Sequence, residues 1–222
     1  MSHPEPSGPD LVGVVADANA VGLAFVVIGG FSVIANGFVR ATKDSDLLVP
    51  DGPEADAAIS RFLQRIDATR LRDDKVLSEE EIIGADHLRV RSRHGIVNIL
   101  RGRLPPLDYE TVAAGAIEGE AGGEPAAFAS LRSIVGFKRL AGRPQDRRDL
   151  EELEALNGDL PIDPIPGLDT RVRAMVVAKS SVGAQSMRKT GRSGAMRSSS
   201  SSLASGPTPS KKAPTSHFHF SR

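Results

Sequence analysis

The chain has few of the residues that support redox or soft-metal chemistry. Its 222 residues include no cysteine, no tryptophan and a single tyrosine. Without cysteine there can be neither a disulfide framework nor a thiolate metal site, which fits a cytoplasmic protein. No apolar run approaches the roughly 20 residues that a membrane helix needs. The start of the chain also lacks the basic and apolar regions of a secretory signal, so we expect a cytoplasmic protein with no membrane association.

Acidic residues are missing from the C-terminal part of the chain. The whole sequence balances 28 Lys and Arg against 28 Asp and Glu, but Thr170 to Arg222 contains ten basic residues and no acidic one. Residues 1–169 therefore carry a net charge of about −10, which indicates an acidic folded body with a basic tail. The tail could contact nucleic-acid phosphates without sequence preference, or it could be a solubilising extension.

Proline, glycine and serine are concentrated at both ends. We predict a disordered N-terminus over 1–9, one domain over 10–157 and a basic tail over 158–222. The tail is expected to be mostly disordered, because such a composition buries too little apolar surface to offset the entropy of ordering.

Hydrophobic periodicity predicts an α+β fold in which a small mixed β-sheet is flanked by helices. Strands are expected over 24–28 and 44–49, and hairpins over 87–101 and 118–128. Helices are expected over 11–20, 31–36, 53–66, 79–83, 131–141 and 144–156, with a further short helix before Ala114. In the last long helix, Leu150, Leu153 and Leu156 are expected to point inward, and 70–75 is expected to be a charged connection.

The segment 25–49 combines a strand, a glycine pair, a short helix and a second strand. Gly29 and Gly30 would let the backbone approach a bulky anion, and the following helix N-terminus offers unpaired N–H groups to phosphate. Asp44 and Asp46 lie two residues apart in the second strand, so they project from one face, roughly 6–7 Å apart along the chain. A divalent cation such as Mg²⁺ would relieve their repulsion. Together these parts predict a site for a nucleoside triphosphate and a metal, although each part alone is common in packing turns and solvated strand ends.

Two better-known phosphate motifs are excluded. A P-loop needs Lys and Ser or Thr after its second glycine, and a dinucleotide fingerprint needs G-x-G-x-x-G. The run GGFSVIANG has neither pattern.

The order of these parts resembles the nucleotidyltransferase superfamily of DNA polymerase beta. Its pattern is an apolar residue, Gly, then Gly or Ser, a variable segment, and Asp-x-Asp or Asp-x-Glu between apolar residues. Here Ile28-Gly29-Gly30 is followed by thirteen residues and then Asp44-Ser45-Asp46-Leu47. The run from Arg40 to Val49 is similar to a small bacterial branch that includes the AbiEii-type toxins.

A second region extends the resemblance to about residues 10–157. The run FKRLAGRPQDRRDLEEL is similar to a later helix motif of the same branch. Its matching residues are Lys138, Arg143, Asp146 and Asp149.

The resemblance implies an Mg²⁺-dependent enzyme that moves a nucleoside monophosphate from a nucleoside triphosphate to RNA, a protein or a small molecule. Two Mg²⁺ ions are possible, both on Asp44 and Asp46. A cognate antitoxin is an expected partner. The phosphates would lie on the glycine pair and on the amide of Phe31 or Ser32, with Arg40 or Lys138 offsetting charge on the leaving pyrophosphate. The implied site residues are Asp44, Asp46 and Lys138 for catalysis, and Gly29, Gly30, Ser32 and Arg40 for nucleotide binding.

One position departs from the family pattern. Where the superfamily often has a third carboxylate, this chain has Asn98, which can coordinate a metal through its carbonyl oxygen but cannot act as a base. Asp86 is a poor substitute because of its register, and His94 at the hairpin tip is expected to be solvent-exposed. A catalytically impaired nucleotide- or partner-binding module of the same fold is therefore the alternative.

Structural roles are also open for the later motif. Lys138 could be a solvated helix lysine. Asp146 and Asp149 could simply lie in the first turn of a helix that begins at Pro144, where the helix dipole favours carboxylates.

Overall fold

A computed structural model describes residues 8–164 and a short strand, His219–Phe220. The expectations for residues 1–7 and for nearly all of the basic tail, its disorder and nucleic-acid contacts included, lie outside the described residues. Within the described part of the chain, no helix has the length and apolar character needed to cross a membrane.

The described residues form helices that are interspersed with single strands and with two hairpins. The helices are α1 (Leu11–Ala20), α2 (Gly29–Ala35), α3 (Pro53–Arg65), α4 (Glu79–Ile82), α5 (Tyr109–Ala114), α6 (Leu131–Ala141) and α7 (Pro144–Asn157). The strands are β1 (Val26–Ile28), β2 (Asp44–Val49), β3 (Thr69–Arg70), β4 (His87–Ser92), β5 (Gly95–Arg101), β6 (Ile117–Ala121), β7 (Glu124–Phe128) and β8 (His219–Phe220).

All strands belong to one mixed sheet, in the order β3-β4-β5-β2-β1-β7-β6-β8. At its centre β1 runs antiparallel to β2, with Ile28 opposite Asp46. On the other side β2 runs parallel to β5, with Asp46 opposite Asn98. This sheet and its flanking helices confirm the predicted α+β fold, and they bring the end of β1 beside the start of β2.

The two faces of the sheet bury separate hydrophobic clusters. Leu47 packs into the cluster that includes α1 and α3, whereas Leu48 packs into the cluster that includes α6 and α7. Because side chains alternate along a strand, Asp44 and Asp46 lie on the same face as Leu48. The face of β2 that carries both carboxylates is therefore the face packed against α6 and α7.

The tip of the β4–β5 hairpin is bound to α1. His94 places Nδ1 3.1 Å from Asp10 Oδ2 and Nε2 2.7 Å from Asp17 Oδ2. Its side chain is only 12% exposed, so the expectation of a solvent-exposed His94 is wrong. Burial alone would raise the pKa of Asp17, but hydrogen bonds with His94, Arg93 and Arg65, together with the charge of Arg93, hold that pKa below its usual value.

Three local differences separate the structure from the predicted elements. Helix α2 begins at Gly29 rather than at Phe31, so the glycine pair lies in its first turn. Strand β3 pairs with β4 where only a charged connection was expected. Leu156 lies in the last turn of α7 and is 58% exposed, so its predicted inward position is wrong, whereas Leu153 is fully buried.

Candidate functional site

Asn98 connects the two carboxylates of β2. Its Nδ2 donates to Asp44 Oδ2 at 3.0 Å and to Asp46 Oδ1 at 2.7 Å. The parallel pairing of β2 with β5 explains this contact, because it aligns Asp46 with Asn98. The structure therefore brings together the aspartate pair and the residue expected at the third carboxylate position.

Gly29 allows Asp46 to lie against the backbone of α2. Gly29 has φ +64°, and a Cβ at this position would lie 1.9 Å from Asp46 Oδ2. Gly30 is in a similar position beside Thr42, because its Cβ would lie 2.3 Å from Thr42 Oγ1. Both glycines thus serve close contacts with side chains of this chain, and only glycine tolerates the Gly29 contact and dihedral together.

Burial is the main reason why the pKa of Asp46 is raised, and the negative charge of Asp44 raises it further. The hydrogen bond from Asn98 and the charges of Arg143 and Lys138 act in the opposite direction without cancelling the shift. The ionised form of Asp46 is therefore under electrostatic strain that an added cation would relieve.

Arg89 on β4 is a site residue that sequence reasoning missed. Its Nη1 donates to Asp44 Oδ2 at 3.1 Å and to Asn98 Oδ1 at 3.2 Å. The hairpin pairs Arg89 with Asn98 directly across the strands. The turn expected from the sequence contained Arg93, His94 and Gly95, which would shift the pairing by one residue. In the structure the turn has two residues, with Ser92 opposite Gly95, and this places Arg89 opposite Asn98.

Lys138 lies in a buried ionic cluster beside the site. Its Nζ lies 3.1 Å from Asp146 Oδ1 and 2.5 Å from Asp149 Oδ2. Arg40 Nη2 donates to Asp149 at 3.0 Å, and Arg143 Nε donates to Asp146 at 2.7 Å. Lys138 is 5% exposed, and both aspartates are 1% exposed. The alternative of a solvated lysine is therefore wrong, and the aspartates do more than face a helix dipole.

The other polar residues named from the sequence, Ser32, Arg40 and Arg143, differ in how far their side chains are exposed to solvent. The Ser32 hydroxyl is fully buried and donates to the Val27 carbonyl, so its side chain points into the core. Arg40 has a 16% exposed side chain that is held by Asp149. Arg143 has a 73% exposed side chain, and its charge lowers the pKa of Asp46. Arg143 is thus the solvent-facing cation of the cluster, although sequence reasoning quoted it only as part of a motif.

The donor set contains two carboxylates and one amide. No group of three His, Cys, Asp or Glu residues that could hold a metal occurs among the described residues. Asn98 would have to supply the third oxygen through its amide carbonyl.

Neither a protein-family model nor a curated protein sequence matches the chain. Among solved structures, it is similar to the solution structure of the antibiotic-resistance factor ANT(2'')-Ia, with 14% identity over 80% of this chain and 95% of that one, at a TM-score of 0.46. The crystal structure of ANT(2'')-Ia with adenylyl-2''-tobramycin gives 14% identity over 77% and 94%, at a TM-score of 0.45. A nucleotidyltransferase-like protein from Paracoccidioides brasiliensis gives 14% identity over 79% and 87%, at a TM-score of 0.46. Likeness at this level leaves function to be inferred from the side chains of the site.

Replacing Gly29 by alanine tests the contact with Asp46. We expect Gly29→Ala to lower the free energy of unfolding by about 3 kcal/mol, since it adds a clash with the Asp46 side chain to the strain of a positive φ. Gly22→Ala is the matched control, because Gly22 has φ +67° but no atom within 4 Å of an added Cβ. The control substitution should lower the free energy of unfolding by only about 1 kcal/mol. Equal losses in urea unfolding would show that Gly29 is needed only for its backbone angle.

Proposed function

We propose that the protein is an Mg²⁺-dependent nucleotidyltransferase that moves a nucleoside monophosphate from a nucleoside triphosphate to an acceptor. The observation that carries this proposal is the convergence of Asp44, Asp46 and Asn98 on one sheet face beside the glycine turn of α2. The acceptor class stays open among RNA, a protein side chain and a small molecule. A cytoplasmic location stays a prediction.

The donor chemistry fits Mg²⁺. Asp44 and Asp46 offer carboxylate oxygens, and Asn98 offers an amide oxygen, which are the hard ligands that Mg²⁺ prefers. The raised pKa of Asp46 adds a second reason, because part of the rise comes from the charge of Asp44. A bound cation would offset that repulsion.

Asp44 and Asp46 would hold the metal, which when bound neutralises triphosphate charge and polarises the phosphoryl group. Arg143 is exposed enough to contact the phosphates or the leaving pyrophosphate. Arg40 or Lys138 was expected in that role, but Arg40 is held by Asp149, and the ammonium of Lys138 is committed to two buried carboxylates. Its contribution to the site is its charge, which favours the ionised form of Asp46.

Asn98 orients the carboxylates but cannot take a proton from the acceptor. Its Nδ2 faces both aspartates while its Oδ1 accepts from Arg89. A half-turn of the amide would exchange these atoms and turn the carbonyl oxygen toward the carboxylates. We therefore expect the acceptor to be deprotonated by a group other than residue 98.

In the proposed enzyme, the backbone amides in the first turn of α2 bind the phosphates. Gly29 and Gly30 supply backbone without side chains, and Ser32 would contribute only its amide because its hydroxyl is bonded to Val27. A toxin function with a cognate antitoxin is a finer proposal that depends on the sequence resemblance alone.

A binding module is the second candidate, and the contacts of Asn98 favour it. The amide already bridges both carboxylates, and Arg89 already neutralises part of their charge. These hydrogen bonds satisfy the carboxylates without a metal, as expected for a protein that has the fold of the transferase but does not catalyse the transfer.

The decisive experiment is a transfer assay with the full chain, Mg²⁺, host extract and each of four α-³²P-labelled nucleoside triphosphates. We expect one macromolecule or small molecule to become labelled, with the label absent for Asp44→Ala. Asp86→Ala is the matched control, because Asp86 is an 81% exposed carboxylate that pairs with Arg103 away from the site. Nucleotide binding without any label transfer would favour the binding module instead.

A further inference from the structure

Arg89 occupies the side of the site where Asp44 meets Asn98. Its Nη1 lies 3.1 Å from Asp44 Oδ2 and 3.2 Å from Asn98 Oδ1. The same Asp44 oxygen also accepts from Asn98 Nδ2 at 3.0 Å. One oxygen of Asp44 therefore already accepts hydrogen bonds from the guanidinium of Arg89 and from the side-chain amide of Asn98.

The charges of these side chains limit how many metal ions the site can hold. Asp44 and Asp46 supply two negative charges, Asn98 is neutral, and the guanidinium of Arg89 stays positive at every physiological pH. A three-carboxylate site would carry a charge of −3, whereas these four side chains carry −1. Because the affinity of oxygen sites for divalent cations depends on ligand charge, a second cation here would enter a site that is already positive.

Two further cations oppose a second metal ion. Arg143 and Lys138 are close enough to act on the charge of Asp46. The positive charge of Arg89 acts on the other carboxylate through a direct hydrogen bond to Asp44. Positive side chains therefore approach the aspartate pair from β4 and from the ionic cluster of α6 and α7.

We propose that Arg89 takes the place of one metal ion, so that the site binds a single divalent cation. This inference rests on the proposed function for the assignment of the aspartate pair as a metal site. It differs from the two-ion expectation of the sequence resemblance, and it gives Arg89 a positioning role, since the guanidinium holds Asp44 and Asn98 in a fixed arrangement.

The position of Arg89 makes the inference testable without damaging the core. Its side chain is 46% exposed, so shortening or neutralising it leaves no buried cavity. Arg91 is the matched control, because it lies on the same strand, is 49% exposed and pairs with Asp74. Circular dichroism of each variant verifies that the fold is retained.

The experiment titrates Mn²⁺ alone into the full-length wild type, Arg89→Met, Arg91→Met and Asn98→Asp. Free Mn²⁺ is followed by electron paramagnetic resonance, and the stoichiometry is obtained by isothermal titration calorimetry. We expect the wild type to bind one ion. Arg89→Met should bind the first ion about tenfold more tightly, the effect of removing one partly screened charge, and should gain a second ion. Asn98→Asp should also gain affinity, and Arg91→Met should match the wild type.

The outcomes separate the inference from the proposed function. Two Mn²⁺ ions in the wild type, or identical binding by the wild type and Arg89→Met, would overturn the role of Arg89 and leave a metal-dependent transferase standing. Binding by Arg89→Met alone would overturn the single-ion site and count against metal-dependent activity of the wild type, because Arg89 would then exclude the metal altogether. No binding by either protein would overturn both proposals.

Discussion

Asp46→Asn should abolish nucleotide transfer and at the same time make the metal-free protein harder to unfold. Losing a carboxylate of the proposed metal site removes several kcal/mol of transition-state stabilisation, which is about a thousandfold in rate. Stability should move in the opposite direction, because burial and the charge of Asp44 disfavour the ionised side chain. Asparagine has the same shape without that charge, and relief of such functional strain is commonly worth about 1 kcal/mol.

The pH dependence of unfolding gives a sharper form of this prediction. The pKa of Asp46 is raised in the folded state above its usual 3.8, so between these two values the folded chain binds more protons than the unfolded one. The contribution of Asp46 to stability therefore falls as pH rises through that window. We expect the difference in free energy of unfolding between Asp46→Asn and the wild type to grow as pH rises from 3.8. The difference should level off above the folded-state pKa of Asp46.

Urea unfolding across this pH range, with and without Mg²⁺, measures both effects. Added Mg²⁺ should stabilise the wild type and leave Asp46→Asn unchanged, because ligands stabilise only the state that binds them. A variant that is less stable than the metal-free wild type at neutral pH would show that Asp46 is held mainly by its hydrogen bond from Asn98.

Lys138→Met should lower the free energy of unfolding by about 3 kcal/mol. Removing one partner of a buried ion pair typically costs about 3–5 kcal/mol, because the remaining charge stays buried without compensation. Here Asp149 keeps Arg40 and Asp146 keeps Arg143, so we expect the lower end of that range.

Arg148→Met is the control for this variant, because Arg148 lies on the exposed face of α7 and should change stability by less than about 0.5 kcal/mol. The measurement is the free energy of unfolding in urea at neutral pH. A loss below about 1 kcal/mol for Lys138→Met would mean that water reaches the cluster.

Local patterns in the sequence were enough to predict most elements. The β4–β5 hairpin and the glycine-rich β6–β7 hairpin follow from alternation around short turns. Ser78 and Glu81 have the spacing of a capping box, and the structure forms that box at the start of α4. The common face of Asp44 and Asp46 follows from strand periodicity alone.

Contacts between elements that are distant in sequence explain the site features that local sequence patterns did not predict. Arg89 contacts Asp44 only because β4 pairs with β5 and β5 pairs with β2, two registers that no local pattern specifies together. His94 was expected to be exposed because a hairpin tip usually is, but α1 packs against that tip. Lys138 reads as a surface residue of an amphipathic helix until α7 covers it with two carboxylates.

The pairing of early strands with late ones also governs how the protein must be made. The Asn98–Asp46 hydrogen bond spans 52 positions of sequence, and the Arg40–Asp149 bond spans 109. A ribosome therefore releases the glycine turn and both aspartates well before the residues that hold them, and contacts of such separation form slowly. A chain that stops short of α7 would carry the complete glycine and aspartate motif without its supporting ionic cluster. Gene fragments and truncated reading frames can thus display the glycine and aspartate motif without encoding the helix whose side chains hold Arg40 and Lys138.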